Sequence, residues 1–313
     1  MRWTRRRAML VLVLTNLLWA GSYVAGKEAL AALSPVELNA LRFGVAGLLL
    51  APLLWRDGRR LHIGWRDVPG LALLCLLGFV LTKAAEYTGL SLTSASDTAL
   101  LIASESIFTA VLAWVILHEA VRRAAVGGLL VGALGVYVVV EKGLTLPHLG
   151  GGTRALGDLL VIGSLVFEAL YTVLGKRGLA RYPGLFILSS SVIGSLVVWI
   201  PAAAVEVARD GAPHLSGAAW AGVLYLAIGG TIRPYTGWFA ALRHVDAASA
   251  GVTLFLQPLA GTLLAVLILR ERPSWATLAG GLCIVGGVWL TSRAHGVADV
   301  TDAIERAAAV GSA

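Results

Sequence analysis

Charged side chains interrupt several long apolar stretches of this 313-residue sequence. Glu105 lies in "LIASESIFT", Glu168 in "SLVFEALYT" and Arg233 in "GGTIRPYTG". An ionised side chain in an apolar environment is costly unless it contacts water or has a partner of opposite charge. A carboxylate there could bind a cationic group or a proton, and an arginine could bind a carboxylate. These residues therefore indicate either a ligand site or structural ion pairs, such as Glu105 with Arg42 or with Arg233.

Enzymatic chemistry has little support in the sequence. "HEAVR" at 118–122 lacks the second histidine of the HExxH zinc motif, and the sequence contains no phosphate-binding P-loop pattern. The two cysteines, Cys75 and Cys283, are too far apart for CxxC spacing. We therefore expect no enzymatic activity, no metal site and no cofactor.

The composition predicts an all-α membrane protein. Only 14% of the residues are charged and the mean hydropathy is +0.81, whereas soluble domains carry about 25% charged residues. A membrane-crossing helix needs about 20 mostly apolar residues, and the runs are apolar on all sides rather than alternating as barrel strands do. We predict ten transmembrane helices, at 8–26, 34–55, 67–88, 96–117, 124–141, 155–175, 183–205, 217–241, 248–269 and 275–293.

Basic residues indicate the orientation of these helices. Arginines concentrate before the first apolar run, at 5–7, and between the second and third runs, at 56–66. Short cytoplasmic loops carry an excess of Lys and Arg, so both chain ends are predicted to lie in the cytoplasm. The net charge of +7 follows from this asymmetry, and we expect no nucleic acid as a partner. The predicted location is the cytoplasmic (inner) membrane, as a multi-pass protein.

The sequence contains an internal repeat. "AVLAWVILHEA" at 110–120 and "TLLAVLILRER" at 262–272 both end an apolar run with glutamate, at Glu119 and Glu271. Similarly, "GKEAL" ends the first run and "GKRGL" the sixth. Because each half holds five runs, the second half would enter the membrane from the opposite side, as in many secondary transporters. We predict two inverted five-helix repeats, at 8–141 and 155–293, and a short cytoplasmic tail at 294–313.

Several longer phrases resemble a known family. "NLLWAGSYVAGK" (16–27), "PVELNALRF" (35–43), "WVILHE" (114–119) and "LQPLAGTLLAVLILRE" (256–271) resemble the EamA-like branch of the drug/metabolite transporter superfamily. The resemblance extends over about 8–293. It implies a ten-helix metabolite transporter with a central cavity, often an exporter of amino acids or related small solutes.

Polar residues inside the predicted helices are candidates for the substrate site. Asn16, Trp19 and Tyr23 are three and four residues apart, so they share one helix face. In the repeat, Gln257 corresponds in depth to Glu105, which favours a shared cavity. Arg233 precedes a proline, which can break a helix and leave an arginine free to bind a substrate carboxylate. The candidate substrate-binding residues are Glu105, Gln257, Arg233, Glu168, Trp19, Tyr23 and Asn16.

Other polar residues are predicted to be structural. Lys83 and Glu86 are three residues apart and can form an ion pair. Arg42 is expected to pair with a carboxylate or with backbone carbonyls. Asp158, near the start of the sixth run, is expected to cap that helix. Glu119 and Glu271 are expected to anchor the ends of their helices.

The sequence thus predicts a secondary transporter that moves small metabolites across the cytoplasmic membrane by alternating access, with export of amino acids or related solutes as the preferred hypothesis. The alternatives are a multidrug or cation exporter coupled to protons and, with less support, a channel. The expected partners are a small-molecule solute and the lipid bilayer, with protons as a candidate coupling ion, in a monomer or a homodimer.

Overall fold

The computed structural model describes residues 5–61, 63–102, 104–105, 108, 111–112, 115–116, 123–141, 152–179, 181–241, 256–287 and 290. These residues form helices joined by short connections and contain no strand. In chain order the helices are α1 (Arg5–Leu30), α2 (Pro35–Gly58), α3 (Val68–Leu92), α4 (Ala95–Ile102), α5 (Arg123–Glu141), α6 (Thr153–Leu179), α7 (Gly184–Asp210), α8 (217–241), α9 (Leu256–Ile268) and α10 (Trp275–Gly287).

Five of the described helices are long and apolar enough to cross a membrane. Large apolar side chains also point outward, for example Leu48 at 78% and Val197 at 77% exposed. An exterior of this kind suits contact with lipid. The described residues thus form an all-helical protein with an apolar exterior. The arrangement as ten spans in two inverted repeats stays a prediction. The five helices lie at Leu10–Leu30, Pro35–Gly58, Val68–Leu92, Thr153–Gly175 and Gly184–Asp210.

The start of α2 shows how local sequence fixes a helix boundary. Ser34 Oγ accepts a hydrogen bond from the Glu37 backbone N–H at 3.1 Å, and the Glu37 carboxylate accepts one from the Ser34 N–H at 2.9 Å. This reciprocal capping box satisfies two backbone donors that a helix start would leave unpaired. Pro35 occupies the first helical position, where its missing N–H costs nothing. The Ser34 hydroxyl also donates to Glu206 on α7.

Two of the helices contain a π-helical segment, Leu76–Leu81 in α3 and Tyr225–Ile232 in α8. Thr82 follows the first segment and Thr231 is the last residue but one of the second, and each donates its hydroxyl to a carbonyl five residues earlier. Thr82 Oγ1 lies 2.7 Å from Leu77 O, and Thr231 Oγ1 lies 2.9 Å from Leu226 O. The π-helical segments therefore have side-chain as well as backbone support.

The helix break predicted before Pro234 does not occur. Helix α8 continues from the π-helical segment directly into α-helix at Arg233. Proline lacks an N–H and its ring clashes with the carbonyl four residues earlier. The wider turns that precede Pro234 accommodate this defect, so the helix is locally widened rather than broken.

Glycines bring pairs of helices into backbone contact. A Cβ added to Gly89 on α3 would lie 2.7 Å from the Gly157 carbonyl oxygen on α6. On α10, a Cβ added to Gly287 would lie 2.4 Å from the Gly132 nitrogen and 2.5 Å from the Gly128 carbonyl oxygen on α5. Small residues allow such close approach between membrane helices. Gly128 and Gly132, which are four residues apart, thus form an internal contact between α5 and α10.

An aromatic cluster fills the space between α2, α3, α6 and α8. The Phe79 ring centroid lies 5.6 Å from Phe43, 5.9 Å from Tyr171 and 5.6 Å from Tyr235. The Phe43 and Phe79 side chains are fully buried. The cluster borders the charged residues described next.

Candidate functional site

Lys83 on α3 lies between two glutamates. Its ammonium nitrogen is 2.6 Å from Glu86 Oε2 and 3.5 Å from Glu168 Oε2. The three side chains are only 10–13% exposed. The ion pair with Glu86 has the predicted i, i+3 spacing, and the contact with Glu168 on α6 connects two distant parts of the chain. We call Lys83, Glu86 and Glu168 the charged triad.

Glu168 also contacts an aromatic pair. The Tyr235 hydroxyl on α8 donates a hydrogen bond of 3.1 Å to Glu168 Oε1. The Tyr235 ring packs edge-on against Trp19 on α1, with 5.3 Å between ring centroids. Tyr235 therefore contacts two of the predicted site residues, Trp19 and Glu168.

A second group joins three of the predicted site residues through hydrogen bonds. The Tyr23 hydroxyl donates to Gln257 Oε1 at 3.0 Å, and Gln257 Nε2 donates to Asn16 Oδ1 at 2.8 Å. Asn16 in turn donates to the Leu12 carbonyl one turn earlier on α1, at 2.8 Å. Gln257 is thus held by one face of α1, the face that the spacing of Asn16 and Tyr23 predicted.

Glu105, which follows α4 in the chain, is close enough to the charged triad to interact with it. It is half-buried. Its carboxylate is repelled by Glu168 and Glu86 and attracted by Lys83. Three acidic side chains therefore lie within electrostatic range of the Lys83 ammonium group, and the Arg42 guanidinium lies within the same range.

Arg42 on α2 is buried, with 3% of its surface exposed. Its guanidinium carbon lies 4.7 Å from the centroid of the Phe43 ring and 4.8 Å from that of Tyr87. Its Nη2 donates a hydrogen bond of 2.9 Å to Thr231 Oγ1 on α8. We expected a carboxylate or backbone carbonyls as partners. The structure instead provides a hydroxyl and two rings, because α2 packs against the π-helical segment of α8.

Arg233 is not brought into this group. Its side chain is exposed, whereas Thr231 and Tyr235 on the same helix are buried. Residues four apart lie on one helix face and the residue midway between them lies on the opposite side. The inward orientation of Thr231 and Tyr235 therefore turns Arg233 outward.

A separate network of polar contacts lies near the ends of several helices. Asp97 near the start of α4 forms an ion pair with Arg154 on α6 and accepts a hydrogen bond of 3.0 Å from Thr277 on α10. Lys27 at the end of α1 donates to the backbone carbonyls of Leu90 and Thr93. These structural roles of Asp97 and Lys27 were not predicted from the sequence. "SASD" at 94–97 does contain the serine-x-x-acid spacing of a helix start, and Ser94 Oγ accepts from the Asp97 N–H at 3.0 Å.

Glu271 anchors the start of α4. Its carboxylate accepts hydrogen bonds of 2.9 Å from the backbone N–H groups of Ala95 and Ser96, and one of 2.5 Å from the Ser96 hydroxyl. The first N–H groups of a helix have no intrahelical partner and attract a negative charge. The anchor thus joins two distant segments. The matching residue of the first half, Glu119, lies outside the described residues.

The predicted capping role of Asp158 requires a correction. Helix α6 begins at Thr153, so Asp158 lies beyond the first turn. Its Oδ1 instead accepts a hydrogen bond of 2.5 Å from the Thr93 hydroxyl. Asp158 therefore joins α6 to the end of α3.

Within the described part of the chain, no three His, Cys, Asp or Glu side chains are grouped so that they could hold a metal ion. The charged triad and the Asn16–Tyr23–Gln257 group are chemically suited to bind polar or charged parts of an organic solute. They offer carboxylates, an ammonium group, an amide and hydroxyls.

The chain belongs to the EamA-like transporter family, whose sequence pattern matches residues 6–141 and again residues 155–293. This membership and the apolar helices make it a multi-pass membrane protein of a transporter family. The resemblance stated from the sequence is confirmed.

Two relatives illustrate the range of the family. A protein of Archaeoglobus fulgidus named an uncharacterized transporter is 31% identical over 286 residues, which cover 90% of this chain and 96% of the relative. A probable terminal-alkyne amino-acid exporter of Streptantibioticus cattleyicolor is 28% identical over 291 residues, which cover 92% of this chain and 94% of the relative. Both names describe transporters rather than enzymes.

The fold is similar to that of a protein solved by crystallography. The superposition has a TM-score of 0.64 with 22% sequence identity, and covers 92% of this chain and 96% of the other. At this identity the likeness concerns the fold alone.

Proposed function

We propose that this protein is a secondary transporter that exports amino acids or related small solutes across the cytoplasmic membrane by alternating access. The observation that carries the proposal is the ion pair between Lys83 and Glu168, at 3.5 Å. Lys83 belongs to the first region matched by the family pattern and Glu168 to the second. A largely buried charge pair that connects two such regions can be exchanged for contacts with a charged solute.

Alternating access requires contacts between the two regions that can form in one state and separate in another. The hydrogen bonds of Gln257 to Tyr23 and Asn16 join the two regions and are contacts of this kind. Ionisable groups inside a membrane protein are costly, and they often mark a substrate or ion pathway. The combination of acidic and basic side chains suits a solute with both charges, and one relative is named an amino-acid exporter.

A proton-coupled exporter of cations is the second candidate. Glu86, Glu105 and Glu168 provide three carboxyl groups, against two cationic side chains, Lys83 and Arg42. This excess of acid favours a positive charge, which a cationic solute or a proton could supply. The two candidates differ in whether the solute also carries a carboxylate.

The test compares the medium of cells that overproduce the unaltered protein with that of cells producing Glu105→Gln at equal membrane levels. An untargeted solute profile is measured in both, with Glu28→Gln as the control because Glu28 is an exposed glutamate at the end of α1. We expect an amino acid or related solute to accumulate outside with the unaltered protein and with Glu28→Gln, and less with Glu105→Gln.

The possible outcomes of this solute profile distinguish between the two candidate functions and test the role of Glu105. Enrichment of cationic drugs or amines without carboxylates would favour the second candidate. Equal enrichment by all three proteins would leave transport intact but remove Glu105 from the mechanism. A medium unchanged by the unaltered protein would contradict export.

A further inference from the structure

Arg42 has hydrogen-bonding capacity that the described part of the protein does not use. Its Nη2 donates a hydrogen bond to Thr231, but its Nε and Nη1 have no acceptor among the described residues. Only 3% of the Arg42 surface is exposed, so water does not replace the missing acceptors. Unpaired buried donors on a charged group destabilise a protein by more than neutral ones do. A guanidinium kept in this condition inside a membrane protein points to a ligand.

The surroundings of Arg42 hold its guanidinium in a fixed orientation. The guanidinium lies near the rings of Phe43 and Tyr87, at 4.7 Å and 4.8 Å from their centroids. An aromatic ring attracts the positive charge but accepts none of the in-plane N–H groups. Those N–H groups form a planar fork that matches the two oxygens of a carboxylate. Nε and Nη1 lie on different edges of the guanidinium, and each forms such a fork with Nη2, which has a second N–H besides the one donated to Thr231.

The charged triad lies close to Arg42 along helix α8. Thr231 contacts Arg42, and Tyr235, four residues later on the same face, contacts Glu168. Four residues of helix rise by about 6 Å. Arg42 and Glu168 therefore contact α8 about one turn apart, and an amino acid that makes hydrogen bonds of about 2.9 Å at each end can reach groups on neighbouring turns. One pole offers donors for a carboxylate, and the other offers acceptors for an ammonium group.

We propose that Arg42 binds the carboxylate of a zwitterionic substrate whose ammonium group is bound by Glu168. This assignment rests on the proposed transport function and adds a specificity-determining residue to it. In the unloaded protein, Lys83 neutralises Glu168. When substrate binds, its ammonium group shares or replaces that contact, and its carboxylate pairs with one unused donor of Arg42, Nε or Nη1, and with the second N–H of Nη2. An amine without a carboxylate leaves these donors unpaired and binds more weakly.

The experiment measures counterflow in proteoliposomes that contain the full-length protein. Vesicles are loaded with unlabelled common L-amino acids, and entry of a radiolabelled mixture of the same amino acids is followed. The competitors are each amino acid and its carboxamide, which keeps the ammonium group but lacks the carboxylate. The variants are Arg42→Gln, Arg42→Lys and the control Arg56→Gln, which removes an exposed arginine from the other end of α2.

The measured quantity is the ratio of inhibitory concentrations, carboxamide over amino acid. We expect a ratio of about ten or more for the unaltered protein and for Arg56→Gln, because hydrogen bonds to charged groups contribute about that factor. Arg42→Gln should reduce the ratio to about one, and Arg42→Lys, which keeps the charge without the fork, should give an intermediate value.

Three results would overturn the assignment. The first is a folded Arg42→Gln protein that weakens amino acid and carboxamide equally, which makes Arg42 structural while transport stands. The second is an unaltered protein that accepts carboxamides as readily as amino acids, a result that needs no folded variant. The third is an unaltered protein that exchanges a solute found in the medium profile but no amino acid. Failure to exchange any solute would contradict the proposed function itself.

Discussion

The ammonium group of Lys83 and the carboxylate of Glu168 lie 3.5 Å apart and join α3 to α6. The same two helices are in backbone contact at Gly89 and Gly157. The ion pair therefore lies along a tight helix interface, where water has little room to replace a missing partner. Removing one of the two charges should therefore lower both the stability of the protein and its transport activity.

Lys83→Met should destabilise the protein by about 3 kcal/mol or more, since it leaves the carboxylates of Glu86 and Glu168 without their cation. Adding Glu168→Gln should restore part of the loss, because one of the uncompensated charges is removed. The measurement is a double-mutant cycle on unfolding in mixed micelles, with Lys83→Arg as the charge-preserving control. Additive losses would show that Lys83 and Glu168 do not interact.

Tyr23→Phe should lower the unfolding free energy by about 0.5–2 kcal/mol, the range for side-chain hydrogen bonds between membrane helices. The substitution removes the hydrogen bond to Gln257 and leaves its oxygen unpaired. Tyr171→Phe is the matched control, because the Tyr171 hydroxyl is buried without a hydrogen-bond partner in the described residues. Removing that hydroxyl should be neutral or stabilising. Equal losses in the two variants, measured by the same unfolding assay, would contradict the role of Gln257.

Trp199→Phe should destabilise α3. The indole N–H of Trp199 on α7 donates a hydrogen bond of 3.0 Å to the Phe79 carbonyl inside the π-helical segment. Its loss leaves a buried carbonyl with fewer partners and a small cavity, at a cost of about 2 kcal/mol or more. Trp220→Phe, at a position 42% exposed, should have a much smaller effect. Melting temperatures of the two variants in one detergent provide the comparison.

Asp67, in the connection before α3, predicts a pH dependence of stability. The Gly64 backbone N–H, which donates to Asp67 Oδ2 at 3.0 Å, and the nearby Arg181 guanidinium hold the pKa of this carboxyl below its usual value. A carboxyl whose pKa is lowered in the folded state stabilises the protein above its unfolded pKa of about 3.9. That contribution is lost as the pH falls through the folded pKa.

The melting temperature of Asp67→Asn should therefore lie below that of the unaltered protein by a constant margin from about pH 7 to pH 5. The margin should shrink below about pH 4, because Asp67 is protonated first in the unfolded chain and then, at lower pH, in the folded protein. Asp210→Asn, at the exposed end of α7, controls for the loss of a surface carboxylate. A margin that instead grew on acidification would contradict the sign of the shift.

Helix positions were largely predictable from the sequence, because apolar runs of the required length leave few alternatives in a membrane. The predicted run at 34–55 became Pro35–Gly58, and the run at 155–175 became Thr153–Leu179. Pro234 misled the prediction, since a proline shows that a regular helix is disfavoured without showing whether the chain breaks or widens. The π-helical segment at Leu76–Leu81 has no proline and left no comparable signal.

The candidate site was predicted in its residue types more than in its pairings. Helical spacing placed Asn16 and Tyr23 on one face, and both contact Gln257. Spacing within one helix could not show that Lys83 also reaches Glu168, since that contact depends on how α3 packs against α6. Arg233 was misplaced for the same reason, because the inward face of α8 is set by its neighbours.

The backbone contact between α5 and α10 limits how the protein can change shape. A Cβ added to Gly135 would lie 2.5 Å from the Gly280 carbonyl oxygen, and one added to Gly280 would lie 2.7 Å from the Gly135 carbonyl oxygen. With no side chains between them, these helices have little freedom to slide or rotate past each other. We therefore expect α5 and α10 to keep their relative position during a transport cycle. The rearrangements of the cycle should occur between helices that contact each other through longer side chains, which can repack.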